Sequence, residues 1–337
     1  MNRDNCFDFL RFLFAFNVVL GHLTVIALFP ELQAYQFLFD TGLSVTGFFV
    51  ISGFLITQSY ERSSFKNYFI KRAKRLLPAY LFVIIACAIG LVLVSSYSVK
   101  DYYLSRDWWA YVGANLCFMN FLHPSLPGVF VNPLINDSSV NPALWTLKIE
   151  VGFYMVIPIL ILWIHKSKHP WAVLCFIYIT SILYRNGLNL YGELTQTDMP
   201  IFLARQLPGF ISYFAVGIAG YFYKEHLLKY KRILIVPALI IFLLEYYWGI
   251  EVCSPLAWGI IVLWCAYSLP ALNNFAKFGD ISYGIYIYHG PILKILLSIG
   301  LFTSLGVWRA SCIYVVCVLL TGLISWHLLE NRFLKRS

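Results

Sequence analysis

Charge is what this sequence has least of. Only 12% of its 337 residues are Asp, Glu, Lys or Arg, where a soluble domain of this size carries about 25%. With 60% of the residues hydrophobic, that shortage excludes an ordinary soluble globule and places the chain among polytopic membrane proteins. Also missing is a small-residue cleavage site after the first apolar run. The run is also too long for a signal peptide, so it is expected to stay in the mature protein. No two cysteines are spaced as CxxC. The eight thiols (Cys6, Cys87, Cys117, Cys175, Cys253, Cys265, Cys312 and Cys317) are scattered, most of them in apolar runs. They read as small core residues, so neither a disulfide framework nor a metal site is expected. The sequence shows no internal repeat and no low-complexity segment.

What is present is greasy sequence in pieces of spanning length. A transmembrane helix needs about 20 mostly apolar residues. Ten segments qualify: 7–29, 38–58, 77–96, 143–165, 170–186, 201–223, 233–249, 254–270, 281–303 and 309–330. The expected fold is therefore all-α, a polytopic membrane bundle of about ten transmembrane helices. It should form a single domain over residues 1–337, with no separate soluble domain. With the N-terminus in the cytoplasm, seventeen lysines and arginines fall on inner segments, Arg3, Lys335 and Arg336 among them. Four fall on outer segments: Lys100, Arg106, Arg185 and Arg309. That bias predicts both termini in the cytoplasm. It also accounts for most of the +9 net charge, so no nucleic-acid partner is needed. The long outer segment 97–142 contains Tyr102, Tyr103, Trp108, Trp109 and Tyr111. These rings suit a helix lying in the membrane interface; flat aromatic faces also suit a lid over a sugar.

Ionisable groups inside spans are costly and usually face protein, which makes them informative. The opening stretch "FDFLRFLFAFNVVLGHLTVIALF" carries Asp8, Arg11 and His22. Asp8 and Arg11 are three apart and share a helix face. Arg11 and His22 are eleven apart, three turns plus roughly 20°, on the same face and about 16 Å apart along the axis. Either the stripe is structural, or it points polar chemistry from the cytoplasmic mouth into the bundle. "NPALWTLKIEVGFY" places Glu150 five residues after Trp145, at the depth expected for His22. A carboxylate and an imidazole there suit acid–base work, or Lys148 neutralises the carboxylate. "TGLSVTGFFVISGFLI" offers small residues, Ser52 and Gly53 among them, for close helix packing. "FKNYFIKRAKRLLPAY" gathers Lys71, Arg72, Lys74 and Arg75 at the cytoplasmic face. They serve either as anchors or as a clamp for phosphate, which arginine binds in a bidentate fork. In "ISYGIYIYHGPILK", Tyr283, Tyr286 and His289 recur at three and share one side of a helix, with Pro291 loosening it.

Five of these stretches, in this order, resemble the membrane-bound acyltransferase-3 family. They are Arg11 with His22, "FFVISGFLI" at 48–56, Arg72 with Arg75, "WTLKIE" at 145–150, and "SYGIYIYHGP" at 282–291. The similarity runs from about Asp8 to Pro291. The resemblance implies an integral-membrane O-acyltransferase of the bacterial inner membrane acting on surface glycans or lipid-linked sugars. It implies acyl-CoA, usually acetyl-CoA, as a co-substrate reaching the protein from the cytoplasm, with no permanently bound cofactor. It marks His22, Arg11 and Glu150 as catalytic candidates and the Arg72/Arg75 pair as important for activity; with the basic cluster read as a phosphate clamp, Arg72, Arg75, Lys71 and Lys74 are the candidates for holding the acyl-CoA. Asp8, Ser52, Trp145, Tyr286 and His289 fall in supporting positions. Lys148 departs from the small, serine-like residue usual there. The alternative from another class is a proton-coupled transporter or flippase of a lipid-linked sugar or small solute. The missing two-half repeat speaks against it. The oligomeric state is left open.

Overall fold

A computed structural model describes residues 4–334, the Phe278 side chain excepted. Arg3, Lys335 and Arg336, three of the cations used for orientation, lie outside the described residues. The described chain is helical throughout most of its length, and its only β pairings are two isolated bridges, Ala27 with Ile135 and Ser95 with Val129. The principal helices are α1 (Phe7–Ile26), α2 (Thr41–Glu61), α3 (Phe65–Gly90), α4 (Arg106–Leu116), α5 (Leu144–Lys166), α6 (Pro170–Thr195), α7 (Leu207–Phe222), α8 (Lys224–Trp248), α9 (Ser254–Ser268), α10 (Ser282–Ser298) and α11 (Val307–Ser325).

Local chemistry sets their ends. α6, α7 and α9 each begin with proline in the first turn, where its missing N–H costs nothing. The Ser105 hydroxyl caps α4 by accepting from the Asp107 amide. α8 stops at Gly249, whose φ of 67° is left-handed.

Each of the ten expected segments is mostly helical, with 201–223 interrupted at Arg205 and Gln206. Among the described residues, seven helical stretches are long and apolar enough to cross a bilayer: Phe7–Ile26, Thr41–Glu61, Phe65–Val94, Leu144–Lys166, Pro170–Thr195, Asp198–Phe222 and Val307–Leu334. An eighth candidate is Ser254–Ser268 continued by Pro270–Lys277 across a 75° bend. Of the other expected spans, α8 opens with Lys224, Lys229, Lys231 and Arg232, and α10 is 17 residues long. Length and composition thus support seven or eight crossings. The aromatic segment forms α4 and a short helix before it, and its rings are tied to the end of α3. Tyr102 and Trp108 both donate to the Ala88 carbonyl, at 3.1 and 2.8 Å, and Tyr103 donates to that of Ile89. A helix runs out of amide partners at its C-terminal end, so these carbonyls need outside donors.

The helices sort into two compact units. The first comprises the chain up to Arg11, Val45–Phe69 and Ile149–Phe275. In it the rings of Phe49, Phe153, Phe210 and Phe214 pack together. Beside them α2 and α7 cross so closely that a Cβ on Gly53 would lie 2.2 Å from the Phe214 carbonyl oxygen. The second unit comprises Phe12–Ser44, Ile70–Lys148 and the chain from Ala276 onward.

Candidate active site

The second unit builds its polar centre around Pro291. Proline has no N–H, so the carbonyl four residues earlier, that of Ile287, loses its helical donor. The Asn141 side-chain amide supplies one, 2.8 Å away. Asn141 Oδ1 accepts from the Ala143 amide at 3.1 Å, which turns the chain into α5. Gly290 leaves room for this docking, because a Cβ there would stand 2.7 Å from Pro142. The first turn of α5 is thereby set against α10, where the Thr146 and Tyr286 hydroxyls meet at 2.7 Å.

One turn along the same face, His289 lies with Nδ1 2.7 Å from the Tyr286 carbonyl oxygen and Nε2 2.6 Å from His22 Nδ1. The two imidazoles stack, with centroids 4.9 Å apart and planes 27° from parallel. Their exposure differs. His289 has no accessible surface, whereas His22 is half-buried. The helix carrying His22 is fastened at several points. Tyr314 OH donates to the Val19 carbonyl at 3.3 Å, and Asn17 Nδ2 donates to the Asp40 carbonyl at 2.9 Å and to Ser44 Oγ at 2.8 Å. Beyond its end, the Leu28 amide bonds the Leu134 carbonyl and the Asn136 amide bonds that of Ile26.

Further along α10, Lys294 is wholly buried. Its ammonium donates to Asp137 Oδ2 at 2.8 Å and to the carbonyl of Ser139. A buried ammonium needs such partners. On Asp137, burial works against the charge, but the ammonium and the Ser139 groups outweigh it and hold the carboxyl below its usual range.

The basic cluster is at the other end of α3 from the aromatic helix. Arg75 is committed to carboxylates, with Nη2 2.6 Å from Asp280 and Nη1 3.6 Å from Glu330, and it sits over the rings of Tyr283 and Trp326. Lys71 is exposed; Arg72 and Lys74 are half-buried. Of the expected residues in the first unit, Asp8, Arg11 and Ser52 are half-buried, and Glu150 accepts from Tyr154 OH at 2.5 Å. In the second unit, the Lys148 ammonium rests over the Phe121 ring at 4.2 Å and Trp145 is half-buried beside Thr146.

The structure therefore brings together His22, Tyr286 and His289 from the expected set. Sequence reasoning missed Asn141, Thr146 and the Lys294–Asp137 pair. Pro291 was the available signal for Asn141, since it creates a carbonyl that something must satisfy. A half-open imidazole backed by a sealed one is suited to taking up and returning a proton.

A family model described as an acyltransferase domain matches residues 4–326. The chain is 26% identical to an O-acetyl transferase of Shigella phage Sf6, over 100% of this chain and 98% of that protein. It is also 26% identical to nodulation protein 10 of Rhizobium leguminosarum bv. viciae, over 99% and 94%. It is 23% identical to the O-acetyltransferase OatA of Staphylococcus aureus (strain NCTC 8325 / PS 47), over 90% of this chain and 54% of that one. No solved structure matches. The match spans nearly the whole length, and the chain belongs to the acyltransferase-3 family of multi-pass membrane proteins.

Proposed function

We propose that this protein moves an acetyl group from cytoplasmic acetyl-CoA to a hydroxyl of a bacterial surface glycan or its lipid-linked precursor. It does so in the inner membrane with both termini in the cytoplasm. The observation that carries the reading is the imidazole of His22, partly open and held by a fully buried partner, in a chain of an acyltransferase family. The acetyl group and the O-linkage rest on the O-acetyl transferase of phage Sf6 and on OatA. The glycan acceptor rests on the family resemblance.

Lys71, Arg72 and Lys74 lie within one turn of α3 and supply the positive charge for the CoA phosphates. Arg75, already paired with Asp280 and Glu330, braces that end of the helix. At the reacting end His22 takes the proton of the acceptor hydroxyl as its oxygen attacks the thioester carbonyl. The C–S bond then breaks, and the proton passes from the imidazolium to the departing thiolate. The products are an O-acetyl ester and free CoA thiol. In the relay version the ring nitrogen attacks the thioester first, the C–S bond breaks and CoA leaves as the thiolate, giving an acyl-imidazolium; the acceptor oxygen then attacks the acetyl carbon, the C–N bond breaks, and the hydroxyl proton passes to the thiolate. Arg11 and Glu150 enter from the resemblance alone, as candidate catalytic residues. Proton transfer by a placed histidine contributes about 10²- to 10⁴-fold.

Mass spectrometry of surface glycans from cells with and without the chain should show acetyl groups that depend on it. In purified protein with acetyl-CoA and that glycan, His22→Ala should abolish transfer while the protein still inserts and folds. Near-normal transfer by His22→Ala overturns the assignment.

A further inference from the structure

Hydrogen-bond direction fixes more than the presence of two histidines. The Tyr286 carbonyl oxygen can only accept, so the proton of that 2.7 Å contact sits on His289 Nδ1. A neutral His289 then has a bare Nε2. The 2.6 Å contact from that nitrogen to His22 Nδ1 needs one proton between them, and only His22 can supply it. With its proton on Nδ1, a neutral His22 presents an unprotonated Nε2. The opposite arrangement requires a doubly protonated, charged His289. That ring has no exposed surface, and burying a charge there without a carboxylate partner is costly.

We infer that His289 is a positioning residue that locks His22 in its Nδ1–H tautomer, making His22 Nε2 the nitrogen that accepts the proton or the acyl group. This rests on the role proposed for His22 and adds which atom performs it. His289 touches no substrate; its function is exerted through the bond to His22. When His22 gains a proton at Nε2, the same bond becomes a charge-assisted one from a cationic donor, so it strengthens as the reaction needs it.

Side-chain amides provide the test, because glutamine and asparagine reach different ring positions. The His289→Gln amide falls near the former Nε2 and its oxygen can accept from His22. The His289→Asn amide falls near Nδ1 and leaves His22 without an acceptor. Both are polar and similar in size, so they can be compared at matched thermal stability in the full-length, detergent-purified protein. Transfer from acetyl-CoA should stay within about tenfold of the parent for Gln. For Asn, kcat should fall about a hundredfold, with KM for acetyl-CoA within about threefold. Equal activity of the two variants, whether high or low, overturns the inference. His22→Ala run in parallel separates the two claims. An inactive His22→Ala with His289→Asn equal to His289→Gln removes the tautomer lock alone. An active His22→Ala removes the His22 reading and the lock with it.

Discussion

Asn141 donates its side-chain amide to the carbonyl of Ile287 across 2.8 Å, at the one place on α10 where Pro291 has removed the helical donor. The proline and the asparagine are thus two halves of one arrangement. Asn141→Ala should leave a buried carbonyl unsatisfied and lower stability by about 1–3 kcal/mol. Adding Pro291→Ala to that variant restores an N–H at position 291 and should recover part of the loss. Thermal unfolding of the two single variants and the double variant gives the coupling. Strictly additive losses mean that the two residues do not share the Ile287 carbonyl.

Arg75 and its neighbours should separate into two phenotypes. Arg75 holds two carboxylates and lies over two rings, and Asp280 also accepts from the Ser282 amide at the start of α10. Arg75→Ala takes the guanidinium from both carboxylates, Glu330 being fully buried, and should lower the unfolding temperature markedly; about 3 kcal/mol is expected for breaking such a pair. Lys71→Ala and Arg72→Ala should raise KM for acetyl-CoA severalfold. If Arg75→Ala unfolds at the parental temperature while raising KM as the others do, Arg75 acts directly on the donor as they do.

Much of this was legible beforehand, for physical reasons. Span-length apolar runs with cations between them can only be membrane helices, so the all-α bundle followed from composition and spacing. The count did not follow as well. α8 spends its first nine residues on four cations, and α10 is short because Gly300, at a φ of 74°, ends it. His22 was visible because an imidazole in an apolar helix needs a reason, and Tyr286 and His289 because a spacing of three puts them on one side. The meeting of His289 with His22, 267 residues away, depends on tertiary packing that no local pattern encodes. Asn141 and Thr146 were overlooked because uncharged polar residues at a helix start read as ordinary caps. Sequence alone does not show that Arg75 faces Asp280 and Glu330, which lie 205 residues and more along the chain.

Gly53 tests the packing of α2 on α7. A Cβ there would stand 2.2 Å from the Phe214 carbonyl oxygen, a backbone atom that cannot swing aside as a side chain can. Between membrane helices, where lipid is as apolar as leucine, such close backbone approach is itself a main source of association. Gly53→Ala should therefore force the helices apart and cost about 1–3 kcal/mol. Gly187, with nothing within 4 Å of its Cβ position, is the control, and Gly187→Ala should be neutral or slightly stabilising. Equal unfolding temperatures for the two variants would mean that α2 and α7 can separate without cost.

The Lys294–Asp137 pair predicts an asymmetry and a pH dependence. Lys294 has no exposed side-chain surface, while Asp137 is 38% exposed. Asp137→Asn leaves an ammonium that water cannot reach, and should cost about 3 kcal/mol. Lys294→Met leaves a carboxylate that water can reach, and should cost about 1 kcal/mol. The folded protein holds the Asp137 carboxyl below its usual value. It therefore binds that proton more weakly than the unfolded chain does. The resulting stabilisation is fully present above the unfolded carboxylate value, about 4, and is lost as pH falls through the lower folded value. Unfolding temperatures measured from pH 7 down to 3 should fall more steeply for the parent than for Asp137→Asn in the acid range. Parallel curves would show that the aspartate's charge contributes nothing to holding the loop on α10, and that the Ser139 contacts to Lys294 suffice.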